Sequence, residues 1–204
     1  LSGQDSLSVQ ESNSSVISGF IRGGFYSWTD RQDKLYVPSA FSDLDLRLET
    51  KTIHNFSAFT DLRFRYGTEF SKPVSRFDFR EGYVTLTGER WRLTAGQKII
   101  KWGRCDFTNP TSKLSPQNLL SRSPDREDMD MGNLLAEANF YPVSWVNIEL
   151  VAMPFYRPST LIIEPVPLPD NVTINQPPPL FTNRGMAAYA FKTEFRMNRI
   201  DWSI

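Results

Sequence analysis

The residues of this chain that could do chemistry are charged groups set at every second position. In residues 42–51, Asp43, Asp45, Arg47, Glu49 and Lys51 alternate with Leu44, Leu46 and Leu48. In residues 58–66, Asp61, Arg63 and Arg65 alternate with Leu62, Phe64 and Tyr66. Further on, Arg76, Asp78, Arg80, Arg92, Glu137, Glu149, Lys192, Glu194 and Arg196 continue the pattern. The chemistry open to such a ladder is electrostatic. It can attract ions of one sign into a passage, or it can pair across strands and brace a wall. The nine basic members (Arg47, Lys51, Arg63, Arg65, Arg76, Arg80, Arg92, Lys192, Arg196) face eight acidic ones (Asp43, Asp45, Glu49, Asp61, Asp78, Glu137, Glu149, Glu194). That near-balance favours bracing over strong selectivity. Arg63, Arg65, Arg80 and Arg92 form the best candidate for an anion-attracting patch.

Other chemistries find little support. The single His54 sits in a short turn beside Asn55, with no Ser or Asp patterned to meet it. The single Cys105 has Arg104 as its basic neighbour and no second thiol, which excludes a disulfide framework and argues against a reactive thiol. Asp125, Glu127, Asp128, Asp130 and Gly132 form an acidic run, but the full calcium-loop spacing and its distal Glu are missing, so a solvated acidic loop is expected. No catalytic residue, metal or cofactor is expected. With 23 Lys+Arg against 23 Asp+Glu, the formal net charge is zero, which removes the footprint of a general nucleic-acid binder. No apolar run approaches the roughly 18 residues of a membrane-spanning helix.

A period of two requires strands. Residues 42–51, 58–66, 146–152 and 187–196 alternate cleanly. Residues 17–28, 76–87, 91–102 and 134–141 are less tidy, and Gly82 predicts a β-bulge near Glu81-Gly82. This makes eight strands and the start of a ninth at residues 200–204, after a polar, flexible segment at 1–16. The connections predict long and short in strict alternation: long at 28–41, medium at 67–75, very long at 103–133 and Pro-rich at 157–183, with short turns between. Short turns on one rim and long loops on the other are the pattern of an outer-membrane barrel, whose tilted strands need about 9–11 residues to cross. Tyr26, Trp28, Phe56, Tyr66, Trp91, Trp102, Tyr141, Trp145, Phe155, Tyr156 and Trp202 fall near segment ends, where interfacial aromatic girdles belong.

The run Gly96-Gln97-Lys98-Ile99-Ile100-Lys101-Trp102-Gly103-Arg104-Cys105-Asp106-Phe107-Thr108-Asn109-Pro110-Thr111, followed by Pro116, resembles a recurrent segment of large Gram-negative outer-membrane porin-type barrels. Its motif positions are Trp102, Gly103, Asp106, Asn109, Pro110, Thr111 and Pro116. Asp125-Arg126-Glu127-Asp128 with Gly132, and Asp201-Trp202-Ser203, are similar to later parts of such barrels. Cys105 departs from the pattern. The resemblance implies a barrel, an outer-membrane address and passage or export of solutes, and it implies that this chain is the N-terminal part of something longer.

The expected fold is therefore all-β: an antiparallel, up-and-down transmembrane barrel covering residues 17–204, incomplete at eight strands or more. The expected function is non-catalytic passage or export of small solutes across the outer membrane of a Gram-negative bacterium. Arg47, Glu49, Asp61, Arg63, Arg65, Asp78, Arg80, Arg92, Glu149, Lys192, Glu194 and Arg196 would form its charged lumenal wall. The partners would be the lipid bilayer and other outer-membrane or periplasmic proteins docking on the long loops, with no nucleic acid. Two other classes fit the same residues: a structural subunit of a larger outer-membrane assembly, and a soluble β-sandwich binding module.

Overall fold

The computed structural model describes residues 15–31, 33–50, 54–102, 114–119, 121–160, 187–197 and 201–203. Nine strands follow in chain order: β1 (Ser15–Thr29), β2 (Leu35–Thr50), β3 (Phe56–Glu69), β4 (Lys72–Thr87), β5 (Trp91–Lys98), β6 (Asn133–Phe140), β7 (Val146–Met153), β8 (Ala188–Arg196) and β9 (Asp201–Ser203). Each pairs antiparallel with the next, giving one sheet in the order β1 to β9. The all-β, antiparallel meander is as the alternation predicts. The sheet does not close: β1 and β9 are its two edges. One 3₁₀ turn, Arg126–Met129, is the only helical element among the described residues. None of the described helices is long and apolar enough to cross a membrane, which says nothing about strands.

The strict alternation of connection lengths is corrected. β2 already starts at Leu35, so the connection after β1 is five residues, 30–34. The chain turns there because the Lys34 amide donates to the Asp30 carboxylate and Asp33 adopts φ 58°, while Trp28 stacks on Tyr36 with ring centroids 4.7 Å apart. β3 and β4 run together as far as a two-residue turn, Phe70 (φ 50°) and Ser71 (φ 63°). Two consecutive positive φ values make the mirror-image turn that suits twisted hairpins, usually signalled by Asn-Gly; Phe-Ser gives no such signal. His54 (φ 47°) and Asn55 (φ 69°) belong to the turn between β2 and β3, so His54 serves the backbone. Only the β5–β6 and β7–β8 connections are long, and both leave the same end of the sheet. The first four strands have 14 to 16 residues, longer than the expected 9–11.

The predicted bulge exists, displaced by one residue. Asp61 pairs with Glu81 and Leu62 with Phe79, leaving Arg80 as the extra residue. β5 ends at Lys98, earlier than residue 102. Its Gly96 has φ +138°, and a Cβ there would lie 2.3 Å from the Gly82 carbonyl oxygen. Gly96→Val combines a forbidden backbone region with that clash. It is expected to break the β4–β5 register and remove several-fold of the recoverable folded protein, read as the gel-shifted fraction on refolding.

The two faces of the sheet differ completely. One face carries Ile17, Ile21 and Phe25 (β1), Leu44, Leu46 and Leu48 (β2), Phe64 and Tyr66 (β3), Phe77 and Phe79 (β4), Leu93 (β5), Leu134 and Phe140 (β6), Leu150 (β7), and Tyr189 and Phe191 (β8), all exposed. Ile21 is 81% accessible and Tyr189 80%, where an ordinary soluble surface would hide them. The other face buries Asp43, Asp45, Asp61, Arg63, Arg65 and Glu69. The small apolar core lies on that same face toward the long-loop end, where Ile100, Leu135, Val151 and Met153 pack with Trp102, Leu114 and Tyr156. At the short-turn end of the exposed face, Trp91 pairs in register with Phe140, and Phe195 stacks on Trp202 at 4.7 Å with Trp145 beside it. Trp102 and Tyr156 leave the expected aromatic rims for the core, and Tyr26 turns to the charged face against Phe41.

Candidate functional site

The charged face of β1–β4 is a closed ionic network. Arg65 is wholly buried, because β3 alternation puts it on the covered face and the Phe41 ring lies 3.9 Å below its guanidinium. Its Nε and Nη2 donate to the two Asp43 oxygens at 2.6 and 2.8 Å, and its Nη1 donates to Glu69, to Ser121 Oγ and to the Arg122 carbonyl. One register step along, Arg63 donates through Nε (3.1 Å) and Nη2 (2.8 Å) to Asp45. Asp61 lies 3.5 Å from Arg80 and 3.6 Å from Arg47, and Arg76 holds Asp78 at 2.6 Å. Cross-strand register makes this possible, since Asp43 faces Arg65 and Asp45 faces Arg63 directly in the β2–β3 pair. Removing ions from water is costly, and near-ideal bidentate pairing recovers that cost.

Residues 121–131 cover this face. The carboxylate of Asp128 meets Arg22 of β1, Arg63 of β3 (2.9 Å) and Arg80 of β4 (4.0 Å), drawing together arginines from roughly 14 Å of sheet. Ser123 Oγ donates to the same carboxylate, and the Glu127 carbonyl accepts from Arg80 at 3.1 Å. The chain approaching this segment is fixed as well, with the buried Pro116 carbonyl accepting from the Met131 amide at 2.8 Å. Burial alone would raise the Asp128 pKa, but the Ser123 hydrogen bond, Arg22 and Arg63 hold it down at about 2. A carboxylate depressed in the folded state stabilises above its unfolded value and loses that contribution as pH falls through the folded one. The 121–131 contact is therefore expected to be intact at pH 5 and to weaken between about pH 4 and pH 2. Amide exchange across residues 121–131, corrected for the intrinsic rate at each pH, reads this directly, and Asp128→Asn should show the loosened pattern already at pH 7.

Of the sequence-predicted wall, Arg47, Asp61, Arg63, Arg65, Asp78 and Arg80 meet in this network. Glu49 and Arg92 lie on the same face, exposed and nearer the short-turn end. Glu149 lies farther round the sheet, accepting from Trp102 Nε1 at 2.9 Å, and Glu194 pairs with Lys192 and with Arg196 (3.0 Å) on β8. The anion-attracting patch is corrected: Arg63, Arg65 and Arg80 are neutralised by carboxylates, and Arg92 is not beside them. Among the acidic run, Asp128 is held by arginines, and no group of three or more His, Cys, Asp and Glu able to hold a metal occurs among the described residues. Of the motif residues, Gly103, Asp106, Asn109, Pro110 and Thr111 lie outside the described residues, as does most of the Pro-rich stretch.

Arg22, Glu69, Ser121 and Ser123 escaped the sequence reading. Arg22 is the sole charged residue of β1, a strand whose Gly and aromatic content hides its alternation. Glu69, Ser121 and Ser123 gave no periodic signal, since the first ends a strand and the other two lie in a loop. No family model, curated protein or solved structure matches the chain.

Proposed function

We propose that this chain builds part of the wall of an outer-membrane β-barrel that passes small solutes, with residues 114–119 and 121–131 folded against the polar wall as a constriction. The observation that carries this reading is the inverted polarity of the sheet: ionic and covered on one face, apolar and exposed on the other. A soluble monomer seldom exposes a contiguous apolar patch beyond a few hundred Å². A sandwich would need a second sheet on that face, and none is present among the described residues. A bilayer supplies the missing apolar surroundings, and the aromatic row of Trp91, Phe140, Trp145 and Trp202 at one rim fits its interface.

The ionic network makes this passage nearly charge-compensated, which suits uncharged or weakly charged solutes better than strong ion selection. The test is cell fractionation followed by planar-bilayer recording of the purified protein. Outer-membrane residence with discrete conductance steps is the expected result. Recovery in the aqueous fraction without detergent would overturn the reading. Membrane residence without conductance, with stoichiometric partners retained in mild detergent, would favour a structural subunit instead.

A further inference from the structure

We propose that the first half of β4 is a docking edge for an extended peptide strand, one that alternates apolar and polar side chains and carries a carboxylate on its polar side. β4 pairs with β3 from Lys72 to Thr87, but with β5 only from Gly82 onward. β5 ends at Lys98, and the chain then leaves the ladder: the Ile99 amide donates to the Glu81 carboxylate at 2.8 Å and the Ile100 amide to Ser115 Oγ at 2.7 Å. Residues 72–81 therefore have no strand on that side among the described residues.

The register says which groups are free. Phe70 and Ser71 form a two-residue turn, so Glu69 and Lys72 are a hydrogen-bonded pair, and Val74, Arg76 and Asp78 turn their backbone groups to β3. Pro73, Ser75 and Phe77 turn theirs the other way. Proline cannot donate to a ladder, so Pro73 fits a position whose amide has no partner. Gln97 Nε2 donates to the Phe79 and Arg80 carbonyls at 2.6 and 3.2 Å, whereas Ser75 and Phe77 have no such cap among the described residues. A cavity of about 400 Å³ runs beside this edge, touching residues 76–80 in unbroken sequence, with Gln97 and Gly132 across from them. An unpaired edge takes an added strand through main-chain hydrogen bonds, and the side chains supply selectivity.

The added strand takes the place that β5 leaves and so runs antiparallel to β4. Its two faces meet different surroundings. Phe77 and Phe79 are exposed on the apolar face, which favours apolar neighbours. On the other face the cavity's charges are paired: Arg63 with Asp45, Arg76 with Asp78, Arg80 with Asp61 and Asp128, and Asp130 with Lys101. The exception is Arg157, which lines the same cavity and whose guanidinium has no carboxylate partner among the described residues. One carboxylate from the peptide completes that set. The 16 residues of β4 exceed the roughly 9–11 that cross an apolar layer, so in the proposed barrel its long-loop end stands in water, where a peptide reaches it. The edge is separate from passage, and losing either idea leaves the other intact.

The experiment is fluorescence anisotropy of the full chain in detergent micelles with a labelled nine-residue peptide of alternating Thr and Val, starting with Thr and carrying Asp at its centre. Saturable binding at one site per chain is expected. In the antiparallel pairing the Val amides face β4 and the Thr amides face away. N-methylation of the two Val residues beside the Asp should therefore weaken binding at least tenfold, and N-methylation of the two nearest Thr residues should leave it nearly unchanged. Ser75→Pro removes an edge donor without touching the β3 ladder and should weaken binding roughly tenfold. Exchanging the peptide's Asp for Lys should cost roughly threefold, a difference that Arg157→Gln removes. The methylated peptides need no variant and decide the matter if Ser75→Pro fails to fold. Absence of saturable binding overturns the docking edge, as does equal loss from both methylations or loss from the Thr set alone. An Asp-to-Lys difference that persists in Arg157→Gln overturns the carboxylate assignment.

Discussion

Arg65→Ala is expected to cost about 3–5 kcal/mol, the loss seen when one partner of a buried ion pair is deleted. A domain has only about 5–15 kcal/mol of stability, so little folded protein should be recovered. The arginine is wholly buried and serves four partners: Asp43, Glu69, Ser121 and the Arg122 carbonyl. Its removal strands two carboxylates away from water and frees the segment lying over them. The damage comes from the uncompensated charge, so Arg65→Met with Asp43→Asn should recover a measurable part of the loss. Urea titration in detergent, followed by tryptophan fluorescence and heat-shifted gel mobility, measures both. A loss below about 1 kcal/mol, the range of exposed pairs, would mean that the network does not hold the fold.

Leu150→Arg separates membrane from water. Leu150 is 52% exposed in the middle of β7, flanked in register by Ala138 of β6 and Phe191 of β8. Facing hydrocarbon near the bilayer midplane, an arginine costs about 2–4 kcal/mol, falling to about 0–1 near the interface. On a water-facing surface the same change stays within about 0.5 kcal/mol. Trp145→Arg, at the aromatic rim, should therefore be mild whether the face meets lipid or water. Folding yield into lipid vesicles compares the two variants. Equal, small effects would return the apolar face to water and remove the barrel reading.

The sequence was most legible where side chains alternate without interruption. Residues 42–51 and 58–66 announce β2 and β3, and the same periodicity puts Asp43 opposite Arg65 once the register is known. β1 was poorly legible because glycines and aromatics fall on both parities, so Arg22 gave no sign of its part in the network. Loop lengths misled for a related reason. Residues 35–41 and 72–75 carry Pro38, Pro73 and small polar residues that read as loop, yet they belong to strands paired with β1 and β3, with one register shift opposite Tyr26 and Trp28 that leaves Val37 and Pro38 unpaired in the β1–β2 ladder. Tertiary pairing overrode local composition there. The role of Asp128 was beyond any local signal. An acidic run reads as solvated until distant strands bring arginines to it, and those partners lie 48 to 106 residues away.

The compensated network also limits what the equal totals of acids and bases mean. Zero net charge could arise from segregated positive and negative regions. On the covered face the charges are instead paired with one another, so the field along it is short-ranged. Glu49 and Arg92 are exposed on that face and lie outside that compensation.

The open edges of the sheet bear on the order of assembly. Along the outer side of β1, every second one of its fifteen residues points its backbone donor and acceptor away from β2, with no neighbouring strand among the described residues to take them. Water satisfies such an edge, but hydrocarbon charges several kcal/mol for each unmet group. Strands entering a bilayer one hairpin at a time would carry that penalty at every step and escape it only when the ring is joined. On the proposed barrel reading, entry would then be cooperative, with the seam sheltered by water, or by another protein's strand, until the last pair forms.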